Sequence, residues 1–328
     1  MNKSKWLFLM TLIISTMITV SSNNWMSMWI GLELNMMSFI PLMYNQQKKL
    51  SSEACMIYFL TQSVSSMILI MMVSISMVSM FMKSVNLDMI ITMSLLMKLG
   101  AAPFHLWMPE IMSKMEWSKC CILMTWQKIA PLMMMSNIQN NLMINTSIIL
   151  SLLVGGIGGI NQTSLRKMMG FSSINHLGWM LAINKLINSW LIYVITYSIM
   201  TSTICYMFSC YKMYFINQVN SMNMSNMEKV SYAIMMLSMG GLPPFIGFLP
   251  KWVTIQEMMN ESEYFISLIM VMLTLITLSY YIKMMVSMFL MTSASLKWFK
   301  TINNKNFMVS MTISLNMSLP IMLMLDII

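Results

Sequence analysis

Long apolar runs separated by short polar stretches set the pattern of this chain. They predict eleven membrane-spanning helices, at roughly 5–22, 25–43, 54–82, 87–107, 119–139, 142–160, 168–184, 189–212, 229–257, 264–291 and 307–326. A helix of ~20 apolar residues crosses ~30 Å of hydrocarbon. Tilt, kinks or extension past the bilayer absorb the excess of the longer runs. Two runs are interrupted by nearly the same phrase: GAAPFHLWMPE from Gly100 to Glu110, and GLPPFIGFLPK from Gly241 to Lys251. The offset, 241 − 100 = 141, holds for Gly100/Gly241, Pro103/Pro244, Phe104/Phe245 and Pro109/Pro250. Small residues and prolines open the helical hydrogen-bond ladder. Inside a membrane that is tolerated only where the freed backbone meets protein or lines a wet cavity. Matching interruptions in two halves of a membrane protein are a pointer to a transport pathway.

The two phrases fall in spans four and nine, which are an odd number of crossings apart and so run in opposite directions. That is the requirement for an inverted repeat. The expectation is an all-α polytopic membrane protein in one domain, 1–328. Its halves of five helices would be about 5–139 and 142–291, each with one broken helix, followed by a final helix at about 307–326. Composition agrees: 58% of residues are hydrophobic and 9% charged, against about 25% charged in a soluble domain. Residues 1–22 resemble a signal peptide in having two lysines and then an apolar run, but no small-residue cleavage site follows, so they read as the first span.

The net charge of +9 does not signal nucleic acid. Lys3, Lys5, Lys48, Lys49, Lys114, Lys119, Arg166, Lys167, Lys212, Lys229, Lys297, Lys300 and Lys305 fall in loops on one side of the eleven-span arrangement, and only Lys83 and Lys185 on the other. Thirteen against two puts the N-terminus on the positive, inner side and the C-terminus on the opposite side. The five cysteines form no C-x-x-C pair, and the two histidines lack clustered carboxylates, so no metal site is expected. The GGIGG run at Gly155–Gly159 lacks the strand and soluble context of a nucleotide loop and reads as close helix packing. Met at 51 of 328 residues and a single arginine suit an AT-rich gene in which a second codon is read as Met, as in animal mitochondria.

Four charges lie deep inside spans: Glu33, Lys98, Lys128 and Lys251. A charge at mid-membrane costs ~3 kcal/mol on insertion scales, so these must be paired, hydrated or both. Snorkelling suits Lys283, which lies in the positive-side half of span ten. It does not explain Lys128, about nine residues, or ~14 Å, from either end of its span. Three interior lysines with one carboxylate fit a proton or cation pathway along the midplane. Lysine suits a relay because its proton affinity shifts readily on burial, whereas arginine stays charged. His105, in the first break, and His176, in SSINHLGW, lie in segments that such a relay would use.

Five stretches together carry a resemblance: GLELNMMSFIP (Gly31–Pro41), KLGAAPFHLWMPE (Lys98–Glu110), WQKIAPL (Trp126–Leu132), SSINHLGWM (Ser172–Met180) and GGLPPFIGFLPKW (Gly240–Trp252). Over essentially its full length the chain resembles the antiporter-like subunits of respiratory complex I. The resemblance implies proton pumping by a pair, Glu33 with Lys98, then a central Lys128 and a terminal Lys251, with His105 and His176 on the hydrated axis. It implies a mitochondrial inner-membrane location, N-terminus in the matrix and C-terminus in the intermembrane space. Partners would be other membrane-arm subunits, neighbouring antiporter-like subunits among them, and lipids. No redox cofactor is expected in this chain; FMN, iron–sulfur clusters and ubiquinone would be held elsewhere in the complex. A stand-alone or multisubunit cation/proton antiporter and a non-pumping spacer are the competing functions.

Overall fold

The structure is a computed structural model that describes residues 3–45, 48–78, 85–138, 141–186, 190–221, 225–290 and 306–318. Fifteen helices account for nearly all of them: α1 (Lys3–Ser21), α2 (Trp25–Met43), α3 (Lys49–Val78), α4 (Val85–Leu99), α5 (Trp107–Lys114), α6 (Trp117–Met124), α7 (Trp126–Ser136), α8 (Asn141–Ile160), α9 (Leu165–Leu186), α10 (Trp190–Tyr211), α11 (Ile216–Ser221), α12 (Asn226–Gly240), α13 (Phe248–Asn260), α14 (Tyr264–Leu290) and α15 (Asn306–Asn316). Among the described residues the only β pairing is an isolated bridge between Ser164 and Phe215. The expected last span begins as α15; its remainder lies outside the described residues, as do the end of the third span and Lys83, Lys297, Lys300 and Lys305.

Four described helices are long and apolar enough by themselves to cross a membrane: Lys49–Met77, Leu142–Ile160, Trp190–Tyr211 and Tyr264–Phe289. The others are shorter, broken or carry buried polar residues. Helix α9 is the extreme case. It buries Ser172, Ser173, Asn175, His176 and Asn184 and packs against α5, α6, α7, α8, α10, α13 and α14, so it runs through the middle of the molecule. Its closest neighbour is α8, and the glycine run explains why. A Cβ on Gly155 would meet the backbone of Asn175 at 2.6 Å. The GGIGG segment is a packing surface, as its sequence context indicated.

The basic loops gather at one end. Lys48 donates to Glu116 at 2.8 Å, and Lys114 pairs with Glu110 at 3.0 Å and Glu53 at 3.3 Å. Arg166 donates to the Met115 carbonyl at 2.6 Å, and Leu165 N–H donates to the Tyr214 carbonyl at 2.9 Å. The Lys48 ammonium beside Glu116 holds its carboxyl below the ordinary carboxylate range. A carboxyl depressed in the folded state contributes its full stability above its unfolded value, ~4.3, and loses it as pH falls through the folded value. Glu116 is 39% exposed, so the pair contributes about 1 kcal/mol or less. Glu116→Gln is expected to flatten the thermal-stability profile of the detergent-solubilised protein on the acid side of pH 4 to 5.

Span five, expected as one helix over 119–139, is divided. Helix α6 stops at Met124 and α7 starts at Trp126, with Thr125 between them at φ −107°, ψ −72°. At the break Thr125 N–H still donates to Cys121 O at 3.0 Å, but its carbonyl takes the tighter i+3 bond from Lys128 N–H at 3.4 Å. Pro131, which has no N–H to offer Gln127, lies inside α7, six residues further on. Span four, placed at 87–107, ends its first helix at Leu99 and resumes as α5 as far as Lys114. The non-helical residues 100–106 displace the second segment beyond the expected boundary.

Candidate functional site

Both repeated phrases fold into the same local structure. Gly100 has φ +71° and Gly241 φ +78°, in the left-handed region that glycine adopts without steric cost. At the first, Gly100 N–H donates to Met97 O at 3.2 Å and Ala101 N–H to Leu96 O at 3.1 Å. At the second, Gly241 N–H donates to Ser238 O at 3.0 Å and Leu242 N–H to Leu237 O at 3.3 Å. Each is a Schellman ending, with prolines downstream that prevent the helix from continuing. Carbonyls of the helix ends also take side-chain donors. Trp107 Nε1 donates to Met97 O and Gln62 Nε2 to Lys98 O, both at 3.2 Å. At the second break Lys251 Nζ donates to Gly240 O at 2.8 Å. A cation at a helix C-terminus also meets the negative end of the helix dipole. The break thus holds Lys251 in place.

Lys98 ends α4, 3.9 Å from the Glu33 carboxylate on α2. The lysine side chain is 3% exposed and the glutamate 22%. Beside the pair lies a cavity of about 20 Å³ in water-centre volume, lined by both Lys98 and Lys128 and by the polar side chains of Asn35, Tyr58, Gln62 and Gln127. That is enough for at least one water molecule, which needs ~10–15 Å³ on this measure. The polar side chains are linked: Tyr58 donates to Gln127 Oε1 at 3.3 Å, and Gln127 Nε2 donates to Asn35 Oδ1 at 3.0 Å.

Lys128 stands in the first turn of α7 and donates to Ser173 O on α9 at 3.0 Å, with its ammonium 4.7 Å from the centre of the Tyr197 ring. The Tyr197 ring packs on His176, centroids 4.9 Å apart, and His176 Nδ1 is hydrogen-bonded to the Tyr193 hydroxyl at 2.9 Å. One turn further along α9, Trp179 faces Lys251, whose ammonium is 5.8 Å from the indole centre. Such cation–ring contacts contribute ~2 kcal/mol when desolvated. Helix α9 therefore supplies partners to the central and terminal lysines and carries the buried histidine between them, whose own partners, Tyr193 and Tyr197, come from α10.

Five of the six expected residues are drawn together in this way: Glu33, Lys98, Lys128, His176 and Lys251. His105 is not. It is half-buried on the outer side of the first break with Nδ1 3.2 Å from Pro103 O, and it does not line the cavity. Asn35, Tyr58, Gln62, Gln127, Tyr193 and Tyr197 were not singled out from the sequence. The signal for two of them was present: Asn35 and Gln127 are amides inside apolar runs, two residues from Glu33 and one from Lys128. Tyrosine in an apolar helix carries no such signal. Among the described residues no group of three or more His, Cys, Asp or Glu is placed to hold a metal ion.

A family model described as NADH:quinone oxidoreductase/Mrp antiporter, TM, matches residues 22–277. NADH-ubiquinone oxidoreductase chain 2 of Anopheles gambiae is 45% identical over 324 residues, covering 94% of this chain and 93% of that one. Among solved structures, a chain of respiratory complex I from Thermus thermophilus with bound aureothin superposes with TM-score 0.80 at 18% identity, over 95% of this chain and 76% of that one. A chain of the Mrp complex from Dietzia sp. DQ12-45-1b gives TM-score 0.76 at 14% identity, over 86% of this chain and 60% of that one. These two share the fold. Sequence match and fold agree, and the chain belongs to the NADH:quinone oxidoreductase/Mrp antiporter family, among the NADH-ubiquinone oxidoreductase chain 2 proteins.

Proposed function

We propose that this chain is a proton-translocating membrane subunit of the NADH:ubiquinone oxidoreductase of the mitochondrial inner membrane. The observation that carries the reading is the run of buried groups from Glu33–Lys98, through the polar cavity, to Lys128, along α9 past His176, to Lys251. Charges this deep are costly, and each one here has a partner that fixes its position while leaving a polar neighbour to pass a proton on. Glu33 Oε1, Asn175 Nδ2, Trp179 Nε1 and the Tyr197 hydroxyl are buried with hydrogen-bonding capacity to spare, which can order water along the axis.

In this reading the chain crosses the membrane eleven times, with inverted halves at about 5–139 and 142–291. The basic end, with the N-terminus, faces the matrix. The twin Schellman breaks support the repeat, because the same device recurs at the same offset. Glu33 is the one member of the axis with an exposed edge, so a neighbouring membrane-arm subunit can reach it. A charge change there would disturb the Glu33–Lys98 pair, and at low effective dielectric unit charges at this separation interact by several kcal/mol. Protons then shift through Lys128 to Lys251. Oxidation of NADH and reduction of quinone would take place on groups held by other subunits, and His105 would serve the axis only from its rim.

The test begins with native-gel separation of membranes from the source organism and mass spectrometry of the band that oxidises NADH. The chain is expected in that band. In closed vesicles, Glu33→Gln is expected to lower NADH-driven proton uptake several-fold while the complex stays assembled. The likeness to the Mrp complex favours one other reading, a cation/proton antiporter subunit. It predicts ion exchange in liposomes without NADH, and absence from the NADH-oxidising band.

A further inference from the structure

We propose that the ion pair between Lys185 and Glu263 is the proton-release gate of the axis, an inference that rests on the proton-translocation reading above. Lys185 lies in the last turn of α9, and Glu263 between α13 and α14. Their side chains are in direct contact, 5% and 27% exposed respectively. An ammonium buried to that degree at a helix end is not a snorkelling surface lysine.

The location gives the pair its meaning. Helix α9 is the element that serves Lys128 through Ser173 and Lys251 through Trp179. Helix α13 carries Lys251 in its first turn. The two walls of the terminal lysine therefore lead, one each, to the two partners of the pair. Arg166, at the start of α9, belongs to the basic end, and nineteen residues later Lys185 is about 28 Å away along the helix axis. The pair thus closes the axis at the end remote from the basic loops. That end carries Glu257, Glu261 and Glu263 on one short stretch, of which Glu263 pairs with Lys185. Carboxylates at an outlet accept protons and hand them to solvent.

From Lys251 to Asn260, the end of α13, is about 14 Å along the axis, so water must carry the proton for part of the way. The hydroxyl of Thr254, fully buried one turn beyond Lys251, and that of Ser267, buried one turn beyond Glu263, stand along this stretch. Asn184, buried beside Lys185, donates to Leu132 O on α7 and keeps the end of α9 in register with the helix of Lys128. The Lys251 ammonium gives up a proton and becomes an amine. The Glu263 carboxylate takes that proton, becomes a neutral acid and releases Lys185. The acid then loses the proton to bulk water, and the restored carboxylate recaptures Lys185, closing the outlet against return.

The test is the number of protons translocated per NADH oxidised by the intact complex in closed inner-membrane vesicles. Glu263→Gln keeps a polar contact to Lys185 but cannot take a proton, and the ratio is expected to fall several-fold, while NADH oxidation recovers when an ionophore collapses the gradient. Glu263→Asp is expected to restore the ratio. If Glu263→Gln fails to assemble, the double variant Lys185→Gln with Glu263→Gln, which exchanges the ion pair for an amide pair, decides in its place. An unchanged ratio in these variants alongside a lowered ratio in Lys128→Met overturns the gate and leaves the pair as a clip between helices. An unchanged ratio in Lys128→Met as well overturns the axis itself.

Discussion

Replacing Lys128 with methionine is expected to leave the complex assembled and to abolish proton movement through this chain. The stability half follows from what the ammonium touches. Lys128 donates to one carbonyl, Ser173 O, and lies over the ring of Tyr197. Ser173 O sits within α9, where a helical N–H also serves it, so removing Lys128 orphans no buried group. Methionine is unbranched and of similar length, fills the same channel, and avoids the desolvation cost of a fully buried cation. Thermal stability of the complex should hold or rise. The functional half follows from position. Lys128 lines the cavity it shares with Lys98 and lies over the Tyr197 ring, which packs on His176, so its amine is the basic group that joins the two. Loss of a positioned acid–base group commonly slows its step by ~10²–10⁴-fold. Lys128→Arg separates a relay from a structural cation. Arginine keeps the charge but does not release its proton, so a relay predicts that it pumps no better than methionine, whereas a structural cation predicts rescue. Proton uptake and NADH oxidation measured together on both variants settle which.

The all-helical membrane-type fold, the two breaks and the buried charged residues could be read from sequence because each violates a rule of the membrane interior. A lysine at mid-span, or a glycine–proline phrase in an apolar run, stands out against a uniform background. What could not be read obeys no such rule. Pro131 is the visible helix breaker in span five, yet the helix continues through it and divides six residues earlier, at Thr125. Which break residue does the work was also hidden. Glycines and prolines were visible together as the signal, and the geometry turns on Gly100 and Gly241, with the prolines only preventing continuation. His105 shows the converse. It lies in the right phrase, but a side chain in non-helical backbone can point either way, and this one points outward. The axis between Lys98 and Lys128 depends on Asn35, Tyr58 and Gln127, which converge from α2, α3 and α7. No local pattern announces a meeting of three distant segments. Likewise Lys185 was legible only as the odd cation on the less basic side, and Glu263 not at all.

Gly241→Ala is expected to disable the terminal lysine without removing it. Two costs act together. A residue with a Cβ held at φ +78° pays roughly 1–2 kcal/mol for the left-handed conformation. The added Cβ would also meet Lys251 Nζ at 2.7 Å and Cδ at 2.8 Å. The neighbour that must give way is the far end of a flexible side chain, so the backbone can keep its Schellman ending while the ammonium leaves Gly240 O. The Gly240 carbonyl then loses its donor inside the membrane, and Lys251 loses the contact that holds it at the end of α12. The expected result is an assembled complex, less stable by about 2–3 kcal/mol, with proton translocation reduced nearly as far as in Lys251→Met. Gly100→Ala is the counterpart at the first break and should behave differently. There the new Cβ would meet the Trp107 ring at 2.9 Å, and that ring is fixed by its bond to Met97 O. A rigid neighbour shifts the loss from function to assembly. A double-mutant cycle tests the mechanism directly: with Lys251→Ala in place the clash at Gly241 disappears, so Gly241→Ala should then cost only its backbone strain. If the two costs add without coupling, the displaced ammonium is not the reason the variant fails.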